Sequence, residues 1–519
     1  MGVCTSHELD VRVVNVDPPI VNPKPFIKRE SDMNLVPGDA MPTRMFYTDE
    51  VGRCSSSSST IVFKSEYERE KFMLVAATNS AHDLPGKMFV VDVDVHSKDY
   101  GQIISQIALT KNGDEFLYTN WTRCSGFANQ VSKTIRNYVV IPCFNTSRLY
   151  IIGIDDILQM RIAKTVELAD LGYKDTSMPL YIQSCPGRGA AVFFSCLGDK
   201  HGSAKGTLQK LDRRLFTIAS ENSDELRPDM TSFGGTFALH IPENFIVSTE
   251  WGIFSHIQHG IKWDNEEKIY GNTLNVWTLK DRQIKQRIEL PELDGQFPIC
   301  VRFIHNPELI HAFVITAIGG SIFHLHRNSI TDVFTARKAY QFPIAHVSGW
   351  IREEVPAIPV DLVISMDDQY LYVSCWLQGF VAQFNITDPF NITLTHKIFI
   401  GGIIHNDVRL IRISTINFMP ERRRVRQKLV EGGPARIQLS LDGRRLYVAN
   451  SFIRAWDEQI YPQLSNAGGV ITLVHINVGG AGAMHFDDSF GIEMKREDGG
   501  YLPREMRFMN GDCTCDCFE

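Results

Sequence analysis

The sequence predicts an all-β chain folded as a β-propeller, on three observations. A turn-plus-strand unit recurs along it. Ser440-Leu441-Asp442-Gly443 runs into Arg445-Leu446-Tyr447-Val448-Ala449, and Ser365-Met366-Asp367-Asp368 runs into Tyr370-Leu371-Tyr372-Val373. Lys111-Asn112-Gly113-Asp114 precedes Phe116-Leu117-Tyr118 in the same way, with a shorter copy at Asn145-Thr146-Ser147 before Arg148-Leu149-Tyr150. The spacing is the second observation. Tyr118 and Tyr150 lie 32 residues apart, and Tyr372 and Tyr447 lie 75 apart, close to two propeller blades of roughly 40 residues each. Third, few stretches have the periodicity of long helices. The competing explanation is chance recurrence of Leu-Tyr-Val strands in any β-rich protein.

Taken in order, the elements begin with residues 1–64, which read as a disordered, flexible N-terminal extension. Pro18, Pro19, Pro23 and Pro25 break regular structure, and Ser55 to Ser59 is a polar run. At its start, Met1-Gly2-Val3-Cys4-Thr5-Ser6 fits the myristoylation pattern at Gly2, with Cys4 as a second acyl acceptor. Two chains are what stable anchoring requires, so a membrane surface is an expected partner. The propeller is expected over residues 65–519. Phe89 to Val95, Val192 to Leu197 and Ile246 to Thr249 read as strands, the last running into a Glu250-Trp251 corner. In the recurring unit, Asp442 bonds backbone amides, Gly443 takes positive φ, and the alternation after it marks a half-buried strand. The basic run Arg422, Arg423, Arg424, Arg426 and Lys428 has no interleaved aromatic residues and reads as a solvated loop.

The chain has 519 residues and a formal net charge of −7. A single ordinary core does not reach that length, whereas a repeat fold grows by addition. The charge gives no reason to expect nucleic acid as a partner. No apolar run has the ~18–20 residues of a membrane helix, and no signal-peptide core is present. Eleven scattered cysteines suit a reducing compartment, so a cytoplasmic, partly membrane-associated protein is expected, and four Asn-x-Ser/Thr matches are read as chance.

Several ordered motifs carry a resemblance. Gly433-Pro434, Ile437-Gln438-Leu439-Ser440-Leu441-Asp442-Gly443, Arg445-Leu446-Tyr447-Val448 and Ala455-Trp456-Asp457 are similar to the selenium-binding protein family, also called the methanethiol oxidase family. Trp121 with Cys124, Ser195-Cys196-Leu197-Gly198-Asp199, Ser248-Thr249-Glu250-Trp251, Arg302-Phe303-Ile304-His305-Asn306-Pro307 and Gly511-Asp512-Cys513 follow in the family's order. The resemblance implies seven blades. It also implies, for active members, copper held by histidines and conversion of methanethiol with oxygen and water to formaldehyde, hydrogen sulfide and hydrogen peroxide.

At those histidine positions this chain differs. The family's His-His becomes Leu117-Tyr118, its His-x-x-His-Cys becomes Tyr181-Ile182-Gln183-Ser184-Cys185, and single histidines become Thr273, Gln378 and Arg504. Tyr, Ser, Thr and Gln are poor copper ligands, and Arg504 brings a fixed positive charge. Copper is therefore not expected in the family's manner. His305 remains as a metal candidate against a structural role, and His256, His259, His324 and His326 are candidates for a relocated site. The family's Cys-Ser-Ser-Cys, associated with selenium binding, reads Cys124-Ser125-Gly126-Phe127, so one thiol is kept beside Arg123. Cys513, Cys515 and Cys517 alternate at the C-terminus as secondary thiol candidates, a soft clamp for selenium or metal. The expected function is capture of small selenium or thiol compounds at Cys124, without efficient oxidase activity. The alternative is a methanethiol oxidase with a rearranged metal site.

Overall fold

The computed structural model describes residues 13–15, 68–124, 134–167, 176–185, 191–199, 201–218, 229–263, 268–406, 409–412, 420–478, 483–496 and 499–514. Seven antiparallel sheets follow one another as blades around an axis. The first holds Phe72–Asn79, Pro85–Asp92 and Ile103–Asn112. The second runs from Asn120–Trp121 through Tyr138–Cys143 and Arg148–Gly153 to Arg161–Val166. Ser177–Ser184, Val192–Gly198 and Ala204–Leu211 form the third. The fourth comprises Phe237–His240, Phe245–Thr249, Thr273–Thr278 and Ile284–Glu289. Pro298–Phe303, His311–Thr316, Ser321–Asn328 and Val333–Gln341 make the fifth. The sixth has Pro359–Ile364, Tyr370–Cys375, Phe380–Asn385 and Thr393–Phe399. The seventh has Ile437–Leu439, Arg445–Ala449, Val470–Ile476 and Met484–Glu493.

Closure joins the two ends of the described ring in one sheet. Gly499–Phe508 pairs antiparallel with Phe72–Asn79 and becomes the innermost strand of the first blade. Glu70 reinforces the joint from the preceding residues, accepting two hydrogen bonds from Arg445 at 2.5 and 2.8 Å and one from the Tyr447 hydroxyl at 2.8 Å. Within the extension, Val13–Asn15 pairs with Ile284–Glu289 as a fifth strand on the outer edge of the fourth blade. Gly2, Cys4 and the rest of residues 1–64 lie outside the described residues.

The core is a set of wedges between neighbouring blades. Val363, Val381, Val448 and Val474 fill the space between blades six and seven, and Val75, Phe89, Tyr447 and Leu473 that between seven and one. Each sheet is thus covered on both faces. That explains one departure from the sequence reading, since Arg445–Ala449 is buried at every position rather than alternately. The recurring turn is confirmed down to its hydrogen bonds. In two of the four copies a serine hydroxyl reaches the aspartate two residues on, at 2.6 Å for Ser440 and Asp442 and 2.5 Å for Ser365 and Asp367. The same hydroxyl accepts the amide five residues on, Arg445 or Tyr370, at 3.0 Å. Gly443 takes φ +71°, and Asp368 occupies the same position at φ +55°.

Two spacings were misread. Tyr118 is not on a blade strand, because only Asn120–Trp121 pairs there, so the 32-residue interval is no blade period. Tyr372 and Tyr447 belong to adjacent blades, and the extra length between them holds the strand Arg409–Arg412 and the hairpin of Arg424–Val425 with Lys428–Leu429. The basic run forms that hairpin, with Arg422 paired to Glu431 and Lys428 to Glu493. Among the described residues, no helix is long and apolar enough to cross a membrane.

Candidate functional site

The innermost strands carry an unusual set of buried arginines toward the axis. Arg436, 1 % exposed, lays its guanidinium 3.8 Å from the centre of the Tyr118 ring and 3.5 Å from Asp361. Tyr118 meets Tyr181 edge to face with centroids 4.9 Å apart. Burial raises both hydroxyls above the ordinary phenol range, so both stay protonated. Arg302 donates through Nε to the Leu362 carbonyl at 2.8 Å and lies 3.8 Å from Asp361. Arg507 donates to the Thr119 carbonyl at 2.9 and 2.7 Å, to Asp512 at 3.1 Å and to Thr514, with Glu505 3.5 Å away. Burial raises the Glu505 carboxyl well above the usual carboxylate range, against the pull of Arg507 and Arg436.

Arg504 is fully buried and ties three elements together. Its Nη1 donates to Ser451 at 2.6 Å, to Asp457 at 3.3 Å and to the Phe452 carbonyl, and Nη2 donates to Glu115 at 3.3 Å. Asp457, on the helix Arg454–Ile460, is pushed up to about 6 by burial, which Arg504 opposes. Gln378 donates to the carbonyls of Pro343 and Val355 at 2.9 and 2.7 Å. Arg504, Arg507 and Gln378 are engaged by these partners, whereas the Arg436 guanidinium nitrogens and the Tyr118 hydroxyl are buried without a hydrogen-bond partner among the described residues. The donor set does not suit copper, since the phenols are protonated, the amide is spent on carbonyls, and a guanidinium neither ligates nor deprotonates.

Of the thiols, Cys300 is buried beside Arg302 and Arg436, and Cys513 shares a cavity wall with Arg302. Cys124 follows the inner strand of the second blade, is 7 % exposed, and donates to the Ser184 carbonyl at 3.1 Å on the third blade. That contact brings Cys124 next to the half-buried Cys185, which sequence reasoning missed because the two are 61 positions apart. Arg213 serves both. Burial and then Arg123 and Arg214 lower the pKa of its guanidinium, while Cys124 and Cys185 act in the opposite sense. Cys513 is 3 % exposed, packed with Val363, Met366 and Leu439, with its thiol 3.5 Å from the Ser440 carbonyl. Cys515 and Cys517 lie outside the described residues.

His305 is a structural latch. Asp368 accepts from its Nδ1 at 2.9 Å and the Cys513 carbonyl accepts from Nε2 at 3.1 Å. Two acceptors require two N–H donors, so the ring is an imidazolium, and neither nitrogen has a lone pair for a metal. Burial works against that charge, but the Asp368 bonds prevail and raise its pKa above the ordinary value. His324 and His326 share a face, as their alternation predicted, and are joined there by His311, whose Nδ1 is 2.9 Å from His324 Nε2. The rings stack rather than converge, and His256 and His259 sit elsewhere, on the helix Phe254–Ile257 and the turn after it. Among the described residues, no three His, Cys, Asp or Glu side chains are arranged to hold a metal ion.

The family described as 56 kDa selenium binding protein matches residues 55–519. The chain belongs to that family. A Caenorhabditis elegans protein named as a selenium-binding protein is 34 % identical over 530 residues, covering 100 % of this chain and 93 % of its own length. A Xenopus tropicalis protein named methanethiol oxidase is 32 % identical over 472 residues, covering 90 % of this chain and 98 % of its own. The X-ray structure of a Sulfolobus tokodaii selenium-binding protein superposes with a TM-score of 0.76 at 25 % identity, over 88 % of this chain and 97 % of that one. Family membership and the propeller therefore agree.

Proposed function

We propose that this family member is a binding propeller that captures small selenium or thiol compounds through Cys124 and has little oxidase activity. The observation that carries the second half is the arginine cluster. The positions that resemblance assigns to copper histidines hold Tyr118, Tyr181, Gln378 and Arg504, with Arg436 stacked against the first of them. Buried fixed cations raise the free energy of a metal cation nearby. The first half rests on Cys124 standing beside Cys185 under Arg213, because a cation favours the thiolate that attacks selenium or sulfur. Cys185 supplies a second thiol from the neighbouring blade where the local partner of Cys124 is missing.

Incubation with selenite followed by peptide mass spectrometry tests the capture. Labelling centred on Cys124 and lost in Cys124→Ser supports it, and labelling unchanged in that variant refutes it. A second reading, an oxidase with a rearranged metal site, draws on relatives named methanethiol oxidase over nearly their whole length. Metal analysis of the purified protein beside a methanethiol consumption assay separates the two, since stoichiometric copper with turnover overturns the first.

A further inference from the structure

A cavity of about 60 Å³ opens where the innermost strands of blades three, four and five end, close to Thr514. That is room for only a few water-sized groups, so any occupant is small. Its polar lining is distinctive. His240 is 5 % exposed, yet neither Nδ1 nor Nε2 has a hydrogen-bond partner among the described residues. The ring is stacked on Phe245 at 4.9 Å and meets Phe303 edge-on at 5.2 Å, a setting a phenylalanine would fill without cost. Buried polar atoms left unpaired are expensive, and a native structure keeps them where something else satisfies them. Gln183 also faces the cavity, and its side-chain Oε1 is buried without a partner.

The third wall is Arg302. Among the described residues, its Nη1 reaches only the Tyr181 hydroxyl and the Thr514 carbonyl, both at 3.5 Å, the outer limit of a hydrogen bond. A guanidinium that is fixed through Nε but barely engaged at Nη1 has donors to spare. The nearby charge is not surplus acid. Arg302, Arg436 and Arg507 face Asp361, Glu505 and Asp512, and burial biases Glu505 toward its neutral form.

We propose that this cavity binds a small oxyanion that still carries an O–H, such as hydrogen selenite or hydrogen carbonate, between Arg302, His240 and Gln183. Arg302 supplies the charge-assisted donors. Burial lowers His240 to about 4, so the ring is neutral at pH 7 and presents one N–H and one lone pair. The anion has a single O–H, which one of the two acceptors, the His240 lone pair or Gln183 Oε1, takes, and that bond sets the preference. A fully deprotonated oxyanion of the same size offers neither acceptor a partner. The site is non-covalent and independent of Cys124.

Calorimetric titration of the Cys124→Ser protein with selenite, hydrogen carbonate and formate at pH 7 tests it, the substitution removing the proposed capture thiol and hydrogen carbonate giving a signal to which the remaining thiols, Cys513 at the cavity wall included, do not contribute. Saturable binding of the first two, with formate at least about tenfold weaker, is expected, as is a loss of about tenfold in His240→Phe and in Gln183→Leu. His240→Phe retains or gains thermal stability if the ring is there for a ligand. Gln183→Leu gives a second reading should the first variant fold poorly. Absence of saturable binding, or equal affinity for all three anions in wild-type and variant proteins, overturns the proposal.

Discussion

Histidines divide into two populations with opposite dependence on pH. His305 is held charged by Asp368, so its contribution to stability is complete below its unfolded value near 6.5 and fades as pH rises through its raised folded value. His324 is held neutral, lowered to about 3 by burial with His311 and His326 adding to the effect. The unfolded chain takes up that proton below 6.5 and the folded chain does not, so stability falls as pH drops from 6.5 toward 3. Unfolding free energies from urea titrations at pH 7 and pH 5 are expected to differ by less in His324→Phe than in wild type, by on the order of 1 kcal/mol. None of this was readable from His-x-His or from a lone His beside Asn306-Pro307, because the deciding partners come from elsewhere, His311 from a neighbouring strand and Asp368 from a turn of the next blade. Arg504 is the converse case. Its substitution for the family's histidine was legible, and its partners Glu115 and Asp457 were not. Arg504→Met leaves both acids buried without their arginine, although Ser451 and the Phe452 and Arg454 amides still donate to them, and is expected to cost about 3–5 kcal/mol, measured by chemical denaturation.

At the level of elements, the turn cassette was read correctly because its chemistry is local. Ser440, Asp442 and Gly443 bond within six residues, and Ser365, Asp367 and Asp368 repeat the pattern. Replacing the glycine position by Asp368 retains a left-handed φ that disfavours side chains, and the carboxylate is what latches His305. Ser440→Ala removes the acceptor for the Arg445 amide and is expected to lower stability by about 1–2 kcal/mol, with the same loss in Ser365→Ala. What failed at this scale was exposure and spacing. Alternating sequence in Arg445–Ala449 cannot signal that a second sheet covers the outward face. A Leu-Tyr pair at 117–118 looks like the others, although its tyrosine serves the arginine cluster instead of a ladder.

For the whole molecule, repetition was visible and closure was not. Nothing in Gly499–Phe508 announces that it pairs with a strand more than 400 residues earlier, because register across that distance is set by the ring and not by local pattern. Removing residues 499–519 is expected to abolish the single cooperative thermal transition, since the first blade loses its inner strand and the ring its joint. Glu70→Ala leaves the ring intact but strips Arg445 of its buried partner, and a loss of about 3 kcal/mol with unchanged circular dichroism is expected.

That joint also has a consequence in time. On the ribosome, Phe72–Asn79 emerges among the first strands and its inner partner among the last. At ~5–20 residues per second, the roughly 390 residues between Asn112 and Gly499 take about 20–80 s to appear. Throughout that interval the nascent first sheet presents an unpaired apolar edge, the kind of template on which a neighbouring chain can add a strand. A strand swapped in from a second nascent chain would satisfy the same backbone groups. Polysome crowding is therefore the circumstance in which this architecture is most vulnerable to domain exchange.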